Sequence, residues 1–368
     1  PHTHTHTIVG RKNRRFCVVL SFPFAVIFFL HLSGSLSFAL ELQKDIFIFG
    51  EGGANYSSSD KNLNFRLGQI DLFGLLRAEK AEAFIELVYE SSEHEVFIEP
   101  ERLYLGYMFH RAFTLRLGRF HTPFGYFTRV WHHGLYLMPQ ISRPLIINFE
   151  DEGGPLPIHL IGGEIEGKFD LYSSVKAGYI IDFGNGNLQF GSTNSGDFDK
   201  FKTVVGKIFV SPIEFSEIGI SVGYDPFTFP QGGTKVRNLI LGGDLVYHKI
   251  VGPMAIIEGF LFNELEGKKT GIGGFVLLSY GFEINSEFLY ELRPLLQVEF
   301  IDWEDGNKWF SALRAIGGLA KYTGYSAGIR IGITSETAIK FEIQFVDNKN
   351  MEDVWFFKTS VGFGIPFF

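Results

Sequence analysis

The chain of 368 residues holds one cysteine, Cys17, close to its N-terminus. A disulfide scaffold is thereby excluded, and so is a metal centre built on thiolates. Proline is modest at 14 residues, which removes collagen-like and Pro-rich disordered readings. Beyond residue 40 no apolar run reaches the ~20 residues of a membrane-spanning helix. Basic charge is in deficit, with 33 Lys and Arg against 41 Asp and Glu. Strong nucleic-acid binding needs a basic footprint, and none is supplied.

Glycine (43) and phenylalanine (41) are abundant instead. Glycine disfavours helices, and aromatic residues favour strands. The first 39 residues read as a cleaved signal peptide. Arg11, Lys12, Arg14 and Arg15 form a positive start, Phe16 to Leu32 an apolar stretch, and Ser37-Phe38-Ala39 a small-residue cleavage site. This segment has four basic and no acidic residues, so without it the formal charge falls from −8 to −12.

Downstream, apolar and polar residues alternate with period two. Ile339, Phe341, Ile343 and Phe345 alternate with Ala338, Lys340, Glu342 and Gln344. Ala83, Ile85, Leu87 and Tyr89 alternate with Glu82, Glu86 and Glu90. Segments at residues 218–224, 292–300 and 329–333 repeat the pattern. Each reads as a strand with one apolar and one polar face. Strands of about 9–14 residues are long for a soluble sheet and suit a tilted membrane strand. Connections alternate between short and long, giving seven short turns and eight long loops. The expected fold is all-β: a transmembrane antiparallel β-barrel of about 16 strands over residues 40–368, with short periplasmic turns and longer outer loops. Ala312 to Ala320 resembles a strand, but an odd count would leave the two chain ends on opposite sides, so it is assigned to a loop. Tyr89, Tyr107, Tyr179, Tyr224, Trp355 and Phe357 are candidates for aromatic girdles at strand ends.

The alternation stops between Phe113 and Gly163. A long connection, 120–157, carries Pro123-Phe124-Gly125, Trp131-His132-His133, Ser142-Arg143-Pro144 and Glu150-Asp151-Glu152. A connection of that length is usually functional. Leu115-Arg116-Leu117-Gly118-Arg119-Phe120, then Pro123-Phe124-Gly125, then Arg143-Pro144 and Gly162-Gly163-Glu164 resemble the porins related to the phosphate-selective O and P group. Arg293-Pro294 and Phe300-Ile301-Asp302 resemble late strands of the same group, and the terminal Phe368 resembles the assembly signal of outer-membrane barrels. The resemblance implies sixteen strands, frequent assembly as a homotrimer, and loops folded inward to narrow the pore. It carries no phosphate selectivity here, because no lysine cluster is present.

The function expected is that of a porin in the outer membrane of a Gram-negative-type bacterium. Its partners are membrane lipid and small polar solutes or ions, with no cofactor and no enzymatic activity. Candidate constriction residues are Arg116, Arg119, Arg129, Arg143, Glu150, Asp151 and Glu152, since charged rings and pore radius set selectivity. The bland reading is that they tie the loop to the wall or face bulk water. Lumen-facing wall candidates, from alternation, are Arg102, Lys176, Lys207, Asp244, Glu258, Glu291, Arg293, Glu299, Arg330, Lys340 and Glu342. Net acidity hints at weak cation preference. No metal site is expected: His132 and His133, with His121 and His159, lack a carboxylate at a standard ligand spacing. Gly324-Tyr325-Ser326-Ala327-Gly328 has nucleophile-elbow spacing but starts a strand rather than a strand–turn–helix. The rival readings are an outer-membrane lipase or protease and a structural or adhesive barrel with a blocked lumen.

Overall fold

Period-two alternation is realised as sixteen strands. The computed structural model describes residues 42–91, 96–131, 136, 138–148, 154–172, 174–185, 201–228, 235–315, 321–349 and 352–366. The proposed leader and Phe368 lie outside them. The first five strands are β1 (Leu42–Ser57), β2 (Leu63–Ala78), β3 (Ala81–Ser91), β4 (Val96–His110) and β5 (Phe113–His121). After the long connection come β6 (His159–Tyr172), β7 (Val175–Asn185), β8 (Thr203–Ser211), β9 (Ser216–Thr228) and β10 (Lys235–His248). The last six are β11 (Gly252–Glu264), β12 (Lys269–Ser286), β13 (Leu289–Trp303), β14 (Tyr322–Gly332), β15 (Thr337–Asn348) and β16 (Val354–Pro366). Every strand pairs with its neighbours in sequence, and β1 pairs with β16 from Phe47↔Pro366 to Ser57↔Phe356. Closure removes both sheet edges, the condition for placing strands in hydrocarbon.

Seven connections at one end of the barrel, the turn end, hold two to four residues each. The longer connections gather at the other, the loop end. The segment from Ala312, which could be mistaken for a strand, lies in one of those loops. Helix α2 (Lys308–Ala315) occupies its first part, and residues 316–320 are outside the described set.

The two faces of the sheet differ sharply. Leu67, Leu105, Leu117, Ile208, Ile220 and Leu296 point outward and are 58–68 % exposed. Glu86, Asp182, Lys207, Asp244 and Gln297 point inward and are buried. Apolar surface this continuous is solvated by lipid rather than water. Tyr107, Phe109 and Phe113 pack edge-to-face and tilted along the outer surface at the turn end, with ring centroids 4.8 and 5.5 Å apart. Tyr224, Trp355 and Phe357 are exposed toward the loop end. Tyr179 packs on Phe169 at 6.0 Å. These positions suit amphipathic rings at the two membrane interfaces.

Leu296 is at the middle of β13 on this outer face. Leu296→Arg is expected to cost about 2–4 kcal/mol of folding stability in lipid vesicles. Denaturant titration of folding into vesicles checks this, and an unchanged midpoint would count against the lipid-facing assignment.

Candidate functional site

Beyond His121 the chain turns into the barrel. The root of the excursion is closed by Thr122, whose N–H donates to Ile158 O at 2.8 Å and whose hydroxyl donates to Pro157 O at 2.6 Å. Within it are helix α1 (Phe127–Trp131) and a single 3₁₀ turn (Leu145–Ile147). Phe124, Phe127, Met138, Ile146, Ile147, Leu156 and Ile158 are fully buried. They pack against the inner surface of the wall, where Val236, Ile240, Ile256, Phe260, Phe275 and Leu277 join the same cluster. Helix α2 adds Trp309 and Phe310, the latter stacked on Trp303 at 4.8 Å. Two inward glycines admit this packing. A Cβ at Gly223 would overlap the Phe124 ring, and one at Gly273 would meet Ile146. The inner face across β10–β12 is therefore largely apolar, which departs from the one apolar and one polar face that alternation assigned to the strands.

Polar wall groups fix the backbone of this loop. Glu258 accepts from Tyr126 N at 2.8 Å and Phe127 N at 2.6 Å. It satisfies the open N–H groups at the start of α1, where a negative charge is also favoured by the peptide dipoles. Gly125 just before has φ +71, and a side chain there would collide with the Glu258 carboxylate. Both facts explain the glycine of Pro-Phe-Gly. Glu342 accepts from Ile141 N at 2.7 Å and Ser142 N at 3.2 Å, and Glu299 from Leu145 N at 2.6 Å. The lysines take carbonyls: Lys207 donates to Gly125 O at 2.9 Å, and Lys340 to Gln140 O at 3.2 Å. Lys207 also forms ion pairs with Glu217 and Asp244, each at 2.8 Å. Arg129, on α1, meets Glu217 at 2.6 Å. Tyr136 reaches the turn end, where its hydroxyl donates to Ser335 O.

The other candidates are placed as follows. Arg116 points into the lumen and holds Glu82 at 2.5 Å, Glu166 at 2.8 Å, and Glu164. Arg102 pairs with Glu86 and lies 4.7 Å from the Phe84 ring centroid. Glu291 bridges Arg293 and Arg330 near the turn end, and Lys176 is exposed there. Arg119 pairs in register with Leu103 and so shares the opposite, outward side. Its guanidinium donates to Glu101 O at 2.8 Å and is 3.5 Å from the Glu101 carboxylate. Arg143 lines a cavity described below. Glu150, Asp151 and Glu152, like His132 and His133, lie outside the described residues. Ser326 sits inside β14, facing inward and buried, with no strand–turn–helix around it.

Cavities lined by described residues lie inside the barrel toward both of its ends. One of ≈ 360 Å³ lies toward the loop end, between the loop's returning limb and β1, β2 and β16. Its charged lining is Glu51, Arg66, Arg143 and Lys358. Another of ≈ 340 Å³ opens at the turn end against β2–β6 and is lined by Arg77, Glu82, Arg116, Glu166 and Lys168. Glu51, Arg66 and Lys358 were absent from the expected set, although strand alternation placed such residues inward. Glu101 escaped it as well. A register shift between Glu86 and Leu87 places Pro100 and Arg102 in successive pairs and leaves Glu101 as an extra residue. That shift brings Glu101 beside His121 and His159.

No family model and no curated protein sequence matches the chain. Solved structures do. An anion-selective porin from Comamonas acidovorans is 12% identical at TM-score 0.58, covering 88% of this chain and 100% of that one. The outer-membrane channel DcaP of Acinetobacter baumannii is 12% identical at TM-score 0.59, covering 89% and 97%. OmpF of Salmonella typhi is 14% identical at TM-score 0.52, covering 88% and 97%. At these identities the likeness is one of fold. It extends across several kinds of porin and does not single out the phosphate-selective O and P group. The chain has the closed sixteen-stranded barrel fold of outer-membrane porins.

Proposed function

We propose that the protein is an outer-membrane porin, a passive channel for small hydrophilic solutes and ions. One observation carries the reading: the barrel is lipid-facing outside, and its inner cavities lie against β1–β6 and β16, lined by charged side chains. The long loop covers the opposite arc. Solutes therefore pass off-axis, between the loop and the arc from β16 through β1 to β7. Three cations and one carboxylate line the cavity nearer the loop end. That local excess of positive charge favours anions, even though the chain as a whole is acidic, because the groups at the narrow zone set selectivity.

Purified, folded protein in a planar bilayer is expected to give discrete open steps; closed bilayers at all voltages would instead favour a blocked, structural barrel. In a salt gradient, Arg143→Glu should move the reversal potential toward cation preference, changing the permeability ratio by roughly twofold or more.

A different measurement tests the loop anchors. Glu258→Ala removes the acceptor of two loop N–H groups, a loss of about 1–3 kcal/mol for each buried donor left unsatisfied. Larger and noisier conductance steps are the expected result, because a loosened loop uncovers more of the lumen. Steps indistinguishable from those of the unaltered protein would show that Glu258 does not hold the loop.

A further inference from the structure

We propose that Glu101, His121 and His159 form a binding site for a divalent transition-metal ion of the zinc class, at the root of the long loop. Their candidate ligand atoms all lie within 4.8 Å of one another, and all three residues are buried. Two imidazoles and one carboxylate are a zinc-type donor set that leaves a fourth position for water. The site is built from three adjacent strands. His121 ends β5, His159 begins β6, and the two are direct partners in the ladder. Their ring centroids are 5.2 Å apart. Glu101 comes from β4, at its register shift.

The contacts resemble those of a site in its metal-free form. His159 Nε2 is 2.5 Å from Glu101 Oε2, a close ion-pair contact between two atoms that can both ligate an ion. Tetrahedral zinc with ligands at about 2.0–2.2 Å needs those atoms to part by about an ångström and His121 to swing inward, which are side-chain movements. Arg119 holds the other side of Glu101, through its main-chain oxygen at 2.8 Å and its carboxylate at 3.5 Å. It orients the carboxylate in the way that outer hydrogen bonds orient metal ligands. Its positive charge also lowers the affinity of the site for a cation. His121 and His159 flank the 37 residues between β5 and β6, so the bound ion clamps the strands from which the loop departs and to which it returns.

The test uses the full folded chain in detergent, metal-stripped and then titrated with Zn²⁺ alone or with Co²⁺ as a spectroscopic probe. One ion per chain, with the visible absorption of four-coordinate Co²⁺, is expected to be lost in His121→Asn and in Glu101→Gln. Both should persist in the double variant His132→Ala/His133→Ala. Folding of each variant is checked by its heat-dependent gel mobility. If His121→Asn does not fold, His159→Gln replaces it as the reporter. No bound Zn²⁺, or binding unchanged in Glu101→Gln, would overturn the proposal and leave an ion-pair cluster. Loss of binding only in the His132/His133 variant would overturn it too, by moving the site elsewhere.

Discussion

Carboxylates and ammonium groups on the inner wall grip the main chain of a single long loop. Glu258, Glu299 and Glu342 receive its N–H groups, while Lys207 and Lys340 supply protons to its carbonyls. A loop within a barrel has the difficulty of any irregular backbone removed from water: its polar groups need partners. The wall provides them at fixed heights along several strands. The position of the loop, the apolar packing beneath it and the arc of the lumen left open all follow from these contacts.

The same contacts alter what the charged wall means. Inward charge in a barrel suggests a wet pore surface, and Arg102 and Arg116 keep company with carboxylates on the arc that remains open. Lys207, Asp244 and Glu258 point the same way and are sealed under the loop. A buried charge must be compensated: Lys207 and Asp244 form an ion pair in the wall, and Glu258 receives N–H groups of the loop backbone. Inward direction and contact with solute are thus separate properties.

The strands were legible because their alternation is local: Ile339 to Phe345 carries its own period. The strand number followed from requiring both ends of the chain on one side, which sends residues 312–320 to a loop. The long connection announced itself where alternation ceased. Its direction was written more faintly. Leu239-Ile240-Leu241, Ala255-Ile256-Ile257 and Phe275-Val276-Leu277-Leu278 are apolar on both faces, so something other than water had to cover the inside. Gly223 and Gly273 are the hollows for that cover. What no local pattern could supply is which groups meet. Glu342 and Ile141 are 201 residues apart, and Glu101 joins two histidines only because an extra residue shifts its strand.

The loop's attachment to one arc has a consequence for how such a barrel can vary over evolutionary time. From β9 to β13 the sheet has hydrocarbon on one side and close-packed side chains on the other, so substitutions there are constrained by volume as in any protein core. From β1 to β7 the inner face carries the charge-lined cavities and networks such as Arg116 with Glu82, Glu164 and Glu166, so substitutions there are constrained by charge balance more than by the fit of an apolar layer. The circumference is divided into an arc ruled by volume and an arc ruled by charge balance, and the two answer to different kinds of substitution.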